Sequence, residues 1–241
     1  HLYIMKLSYI DLQKSLRSVA DFPRADFLMR FFKTGKGQYA EGDKFLGMTV
    51  PLVRKIVRPY KTLPITEVEE LLNSPWHEER FSALIIMIAQ FKNGTPRVQK
   101  QIFNMYLANT KNVNNWDLVD VSAEHIVGQY LANKPKQILY KLAKSKKLFE
   151  RRIAIVSTFH YIKLGNLKDT FKISDILLND KEDLIQKAVG WMLREAGKRV
   201  SKSELVLYLA PRYKRMPRTM LRYSIERFLP EERKRYLKGE V

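Results

Sequence analysis

The chain of 241 residues contains no cysteine and 45% hydrophobic residues, which excludes a disulfide framework and a thiolate zinc site and argues against intrinsic disorder. Lysine and arginine total 44 against 25 acidic residues, and the formal net charge of +19 favours a polyanionic partner. The longest uncharged stretch, residues 81–91, is too short to span a bilayer, so no membrane partner is expected.

The N-terminal residues 1–4 precede Met5, and we expect them to be a remnant of expression cloning with no functional role. No signal peptide of the usual form is found, and a chain without cysteine suits a reducing compartment, so a cytoplasmic protein is expected. The four histidines lie far apart without metal-ligand spacing, and therefore neither a metal nor an organic cofactor is expected.

Residues 35–40 match the glycine-rich dinucleotide-binding pattern in the form that ends in alanine. They follow a helical Phe-Phe-Lys segment, whereas the dinucleotide motif needs a buried strand before it and a helix after it. The sequence therefore predicts a basic loop at this point, one that could contact a phosphate.

Hydrophobic periodicity is helical along nearly the whole chain, and prolines separate the apolar segments where helices start or stop. Five segments begin with a polar residue before an apolar run; their anchors at positions 80, 116, 152, 187 and 218 are 36, 36, 35 and 31 residues apart. This period is typical of HEAT-like arrays, with chance similarity among amphipathic helices as the alternative. The sequence predicts one all-α domain over residues 1–241, a HEAT-like helical-repeat solenoid of stacked antiparallel helix pairs with a concave basic groove.

The segment from Asn114 to Asp120 is the first with chemical interest. Trp116 and Asp120 are four residues apart and share one helix face, while Asp117 lies at the helix start, where an acid stabilises the helix end. Asp120 would repel phosphate in a basic groove, so it requires either a functional role or a structural salt bridge to an arginine such as Arg152.

The second segment of interest runs from Ile185 to Glu195. A glycine inside a helix, here Gly190, costs about 1 kcal/mol relative to alanine, which indicates close helix packing or close approach of a ligand. Trp191 follows directly and belongs either to the core or to a site. Equivalent anchors would place Trp116, Arg152 and Trp191 at the starts of neighbouring helices on one concave face.

These segments, together with the Phe-x-Gly-x-x-x-Pro-x-x-Arg run of residues 45–54, resemble the AlkD-type alkylpurine DNA glycosylases, a family with a HEAT-like fold. The resemblance extends from about Arg24 to Arg227, and it rests on the order and spacing of the motifs together.

The resemblance implies a catalytic aspartate at Asp120 and aromatic walls at Trp116 and Trp191. It implies three further positions that bind DNA or support the site, namely Arg152, Arg194 and Phe31. We assign Lys187 to the same group, because it lies on the helix segment of Trp191. Phe31 replaces a tyrosine of the family, so any polar role at that position is lost.

The function expected from the resemblance is hydrolysis of the N-glycosidic bond of cationic N3- or N7-alkylated purines in duplex DNA, leaving an abasic site. The expected protein is a monofunctional hydrolase, monomeric, without cofactor or metal. One alternative is a non-catalytic HEAT-like protein that binds distorted or branched DNA, which the replacement at Phe31 leaves open. Another is a protein-binding helical scaffold, against which the basic charge argues.

Overall fold

The structure is a computed structural model that describes residues 7–241, and over that range the chain is helical, with no strand. The all-α prediction is therefore confirmed for the described residues, while the interpretation of residues 1–4 as a cloning remnant lies outside them. The chain forms two compact units, the first ending at Ser122 and the second beginning at Ala123. No helix within residues 7–241 combines the length and apolarity needed to cross a membrane.

From residue 7 onward, the first unit is built from seven helices, several of whose starts carry the expected capping residues. In chain order they are α1 (Tyr9–Arg17), α2 (Phe22–Phe31), α3 (Val50–Val57), α4 (Ile65–Leu72), α5 (His77–Asn93), α6 (Pro96–Ala108) and α7 (Trp116–Ala123). Ser8, Asp21, Thr49 and Thr95 each accept a backbone N–H of the first turn. Helices α3, α4 and α6 pack against α5, whose central residues from Phe81 to Met87 are buried.

The second unit begins with a π-helical turn at Glu124–Gly128 and continues with eight helices. They are α8 (Gln137–Ala143), α9 (Leu148–Ser157), α10 (Phe159–Lys163), α11 (Lys168–Ile176), α12 (Asp183–Arg199), α13 (Lys202–Leu209), α14 (Arg218–Ser224) and α15 (Pro230–Lys238). Helices α9, α12 and α14 pack in series, and α8 and α11 pack on each other and against α9.

The repeat predicted from the sequence corresponds to helix starts. Positions 80, 116, 152, 187 and 218 all fall within the first five residues of a helix, in α5, α7, α9, α12 and α14. Successive helices pack in pairs, such as α4 with α5 and α8 with α9, as in a helical-repeat fold. The concave basic groove and the single-domain organisation stay predictions.

The loop predicted at residues 35–40 is also present, between α2 and α3. The backbone N–H of Gly35 donates to Oε1 of Gln38 at 2.9 Å, and that of Gly37 donates to Oε2 of Glu41 at 2.8 Å. In a dinucleotide-binding motif, such backbone N–H groups would donate to phosphate. Here the N–H groups of Gly35 and Gly37 donate to side chains of the same loop.

Gly190 lies where α12 meets α14, which confirms the expectation of close helix packing. A Cβ atom at this position would stand 2.4 Å from Cβ of Tyr223 and 2.7 Å from the carbonyl oxygen of Met220. The latter is a backbone atom, so α14 can approach α12 only because residue 190 has no side chain.

We expect Gly190→Ala to destabilise the protein by about 1–3 kcal/mol, because overpacking at a helix contact outweighs the gain in helix propensity. Equilibrium urea unfolding measures the change. Gly197→Ala is the matched control in the same helix, since its nearest atoms belong to the movable side chain of Leu205 and its cost should be smaller. Equal effects of the two substitutions would contradict this account of α12.

Candidate active site

Helix α7 presents Trp116 and Asp120 as partly exposed side chains, while Leu118 and Val119 between them are buried. The buried Asn115 sets the start of the helix, because its Oδ1 accepts the N–H of Trp116 at 2.8 Å and its backbone carbonyl accepts the N–H of Val119 at 3.2 Å. The predicted pairing of an indole and a carboxylate on one helix face is therefore present.

The carboxyl group of Asp120 lies in the electrostatic range of Tyr106, a fully buried tyrosine of α6. Burial raises the pKa of the Tyr106 phenol, and the charge of Asp120 raises it further, against a lowering hydrogen bond between Tyr106 and Ser122 at 2.9 Å. The phenol therefore stays protonated, and its hydrogen bond to Ser122 anchors α7 on α6.

Phe31 lies beside Trp116, as the site assignment expects. Their ring centroids are 6.3 Å apart at an interplanar angle of 68°, and 53% of Phe31 is exposed. The stacked partner of Trp116 is instead the buried Phe32, at 5.2 Å and 22°, which in turn stacks on Phe45 at 5.0 Å. Phe32 could not be identified from the sequence, because only the three-dimensional packing separates the exposed ring of Phe31 from its buried neighbour.

The buried His77 extends this stack of aromatic rings. The imidazole of His77 stacks on Phe45 at 4.3 Å, with Nδ1 3.1 Å from Oδ2 of Asp43 and Nε2 2.7 Å from Oδ2 of Asp117. Burial alone would lower the pKa of His77, but the charges and hydrogen bonds of Asp117 and Asp43 outweigh it and raise that pKa to about 9. His77 is therefore a cation at neutral pH, and it fixes the residue that follows Trp116.

The three residues after His77 are also polar, buried and bonded to distant segments. Glu78 accepts the backbone N–H groups of residues 46, 47 and 48 at 2.8, 2.9 and 3.1 Å. Glu79 accepts from Gln13 and Arg17 of α1 at 2.8 Å each. Arg80 donates to Asp43 at 2.5 Å and to Asn114 at 3.1 Å. In the sequence, only the run of four polar residues at a helix start indicates this network. Amphipathic periodicity alone would predict that such residues are exposed to solvent.

A cavity of about 290 Å³ opens between α2, α3 and α5 in the first unit. Its walls are mainly apolar, with Phe27 and Phe31 on one side, and the charged residues of the lining are Arg24, His77, Glu78 and Asp117. Of these, His77, Glu78 and Asp117 already have hydrogen-bond partners within the unit. The cavity thus offers apolar surface rather than a free acid or base.

In the second unit, Trp191 of α12 is partly exposed, and its ring lies 5.8 Å from that of Phe159. Arg152 of α9 is buried, and its Nη1 donates to the carbonyl oxygen of Leu184 at 2.5 Å. Since α9 packs on α12, the structure brings the predicted arginine and indole onto adjoining helices of one unit.

The other two predicted DNA-binding cations of this unit are engaged in ion pairs. Lys187 contacts Asp183 one turn earlier, with Nζ 2.6 Å from Oδ2, and this hydrogen bond raises the pKa of the lysine. Arg194 pairs with Glu226 and lies 3.4 Å from Glu195. Any contact with phosphate would have to replace these partners, and the DNA-binding role of both residues stays a prediction.

No cluster of three or more histidine, cysteine, aspartate or glutamate side chains with the arrangement of a metal site occurs in the described part of the chain.

Known proteins share this fold and much of this sequence pattern. The sequence model of a family described as "DNA alkylation repair enzyme" matches residues 12–228. Among solved structures, a protein described as "Predicted DNA alkylation repair enzyme from Enterococcus faecalis" is similar with a TM-score of 0.65 and 16% identity, over 88% of this chain and 97% of that one. This structural likeness shows the fold. Among curated proteins, none is significantly similar in sequence.

The buried ion pairs of His77 predict a pH dependence of folding stability. The folded protein holds the proton with a pKa of about 9, against an unfolded value of about 6.5, so the stabilisation is complete below the lower value and is lost as the pH rises through the higher one. We expect a loss on the order of 3 kcal/mol between these limits, measured by urea unfolding at a series of pH values.

His77→Gln should abolish this slope, whereas His125→Gln, which changes an exposed histidine of the π-helical turn, should keep it. A wild-type stability that is flat across the same pH range would contradict the assignment of the charge to His77.

Proposed function

This chain belongs to the DNA alkylation repair enzyme family, and on that premise we propose that it is a DNA N-glycosylase that removes cationic alkylated purines. The substrate is duplex DNA carrying N3- or N7-alkylated bases, and the product is an intact abasic site. The proposed enzyme acts as a monomer in the cytoplasm and requires neither metal nor cofactor.

The observation that carries this proposal is the face of α7. It presents the carboxylate of Asp120 one helical turn from the indole of Trp116, and both are accessible to solvent. The buried contacts of Asn115 and His77 fix the start of the helix that carries these two side chains. An acid on such a face of a chain with a net charge of +19 opposes DNA binding, and the proposed function gives this acid a chemical task.

The chemistry of the substrate explains why one carboxylate suffices. An N3- or N7-alkylated purine carries a formal positive charge, so the base leaves as a neutral molecule and needs no general acid. The bond between C1′ and the purine nitrogen breaks, and its electron pair goes to the base. The sugar develops oxocarbenium character, which the negative charge of Asp120 stabilises. The oxygen of a water molecule then bonds to C1′, and Asp120 accepts its proton.

The aromatic side chains provide the binding for a cationic lesion. The face of an indole attracts a cation by about 0.5–2 kcal/mol, depending on how far the contact excludes water. Trp116 supplies such a face, and the stack of Phe32 beneath it keeps the ring from turning away. Under the proposed function, Trp191 of α12 is the second aromatic wall, and Arg152 of α9 supports the DNA backbone.

The proposal includes hydrolysis without a lyase step. A lyase reaction needs an amine that attacks C1′ and forms a Schiff base. Lys187, the one lysine assigned to the site, is held by Asp183 with a raised pKa, which disfavours the neutral amine that such an attack requires. The abasic strand should therefore remain uncut until it is treated with alkali.

Substitution of Asp120→Asn should lower the rate of 7-methylguanine release from methylated duplex DNA by about 100-fold or more, because the amide no longer opposes the charge of the sugar. Duplex affinity should persist, since the change removes a repulsive charge. Chromatography of free bases measures the first quantity and fluorescence anisotropy the second.

Asp26→Asn is the matched control, because it makes the same charge change at an exposed position of α2 in the same unit. Full activity of Asp120→Asn would remove Asp120 from the mechanism. Wild-type protein that binds duplex tightly and releases no alkylated base would favour the non-catalytic alternative, for which Phe31 in place of a tyrosine leaves room.

The same mechanism predicts selectivity for charged lesions. In duplexes of one sequence, 7-methylguanine should be released and O6-methylguanine should remain, because the uncharged base is a poor leaving group without protonation. Time courses of base release from the two duplexes measure the ratio. Comparable release of both would show that a general acid assists the leaving base.

A further inference from the structure

A second charged feature of the second unit involves α8 and α11, two helices that pack against α9. An open cavity of about 390 Å³ is lined by residues that precede α8 or begin α8 and α11. Four of its lining side chains are lysines, namely Lys134, Lys136, Lys168 and Lys172, and one is an aspartate, Asp169. The cavity therefore concentrates positive charge.

None of the four ammonium groups forms an ion pair with an acid of the described chain. Lys134 and Lys136 donate only to backbone carbonyl oxygens, at 3.1 to 3.3 Å. The one carboxylate in the lining, that of Asp169, accepts the hydroxyl of Tyr140 at 2.5 Å and offsets one of the four positive charges. By contrast, other cations of this unit pair with acids, as Lys163 does with Glu124 and Lys187 with Asp183.

Two of the lysines are also held in place by aromatic rings. Nζ of Lys134 lies 4.2 Å from the ring centroid of Tyr130, and Nζ of Lys136 lies 4.9 Å from that of Tyr161. Ordering a long side chain on binding costs conformational entropy, so lysines that are already ordered bind an anion at lower cost than mobile surface lysines.

We infer that this cavity binds phosphate groups of a nucleic-acid backbone, as a contact additional to the face of α7. Compact ammonium groups suit phosphate oxygens, and Lys168 and Lys172, one turn apart on α11, extend the charge along the opening. The net charge of +19 and the family of the chain favour a nucleic acid as the source of these phosphates. The inference depends on DNA binding and not on base release.

The test compares two double substitutions that remove the same charge from exposed lysines. Lys168→Gln with Lys172→Gln alters the cavity, and Lys141→Gln with Lys144→Gln alters exposed lysines at the other end of α8 that do not line it. The measurement is duplex affinity over a range of salt concentrations, with unmodified DNA. In the cavity variant, the slope of log affinity against log salt should fall by about 0.9 for each phosphate that is no longer bound, and it should stay near wild type in the control.

An equal fall in both variants would mean that only bulk charge matters and would overturn the inference. Calorimetry with inorganic pyrophosphate separates the sources of phosphate: if the cavity variant fails to bind pyrophosphate but keeps its duplex affinity, the inference is also overturned. Lys168→Arg with Lys172→Arg should keep the duplex slope, which guards against a folding defect. Because the DNA is unmodified, no alkylated base can be released, and the result is independent of the proposed catalysis.

Discussion

The buried polar start of α5 is the constraint on which the first unit depends. Four consecutive residues, His77 to Arg80, lie in the interior and bind α1, the loop at residues 43–48 and the start of α7. A buried charge without a partner costs several kcal/mol, so these groups are tolerated only because each meets an opposite charge or several backbone donors. The same contacts that satisfy them position Trp116 and Asp120. Stability and the geometry of the candidate site are therefore set by one network.

The helices and their spacing could be predicted from the sequence because they depend on local signals. Polar residues at helix starts, prolines and the apolar period placed the anchors at 80, 116, 152, 187 and 218 inside helix starts. Gly190 was interpretable for the same reason, since a glycine inside a helix has few explanations other than close packing.

The charged contacts of the site could be predicted only in part. Asp117 was interpreted as an acid of the first helical turn, and its Oδ1 does accept the N–H of Leu118 at 2.8 Å. Its second oxygen binds His77, which lies 40 residues earlier in the chain, and no local pattern indicates such a pair. The pairing of Lys187 with Asp183 follows helical spacing, whereas Arg194 pairs with Glu226, which lies 32 residues later in the turn after α14. Long-range ion pairs depend on which helices pack together, and a single sequence does not show this.

Under the proposed function, the ion pairs of α12 affect how long the protein stays bound to undamaged DNA. Where a duplex contacts Lys187 or Arg194, the phosphate displaces Asp183 or Glu226, so an existing attraction is exchanged for another of similar strength. Each such contact then adds less to the residence time on undamaged DNA than an unpaired cation would. A repair enzyme that must scan many normal base pairs for one lesion gains from this internal competition, because rapid dissociation and sliding keep it from being trapped on intact sequence.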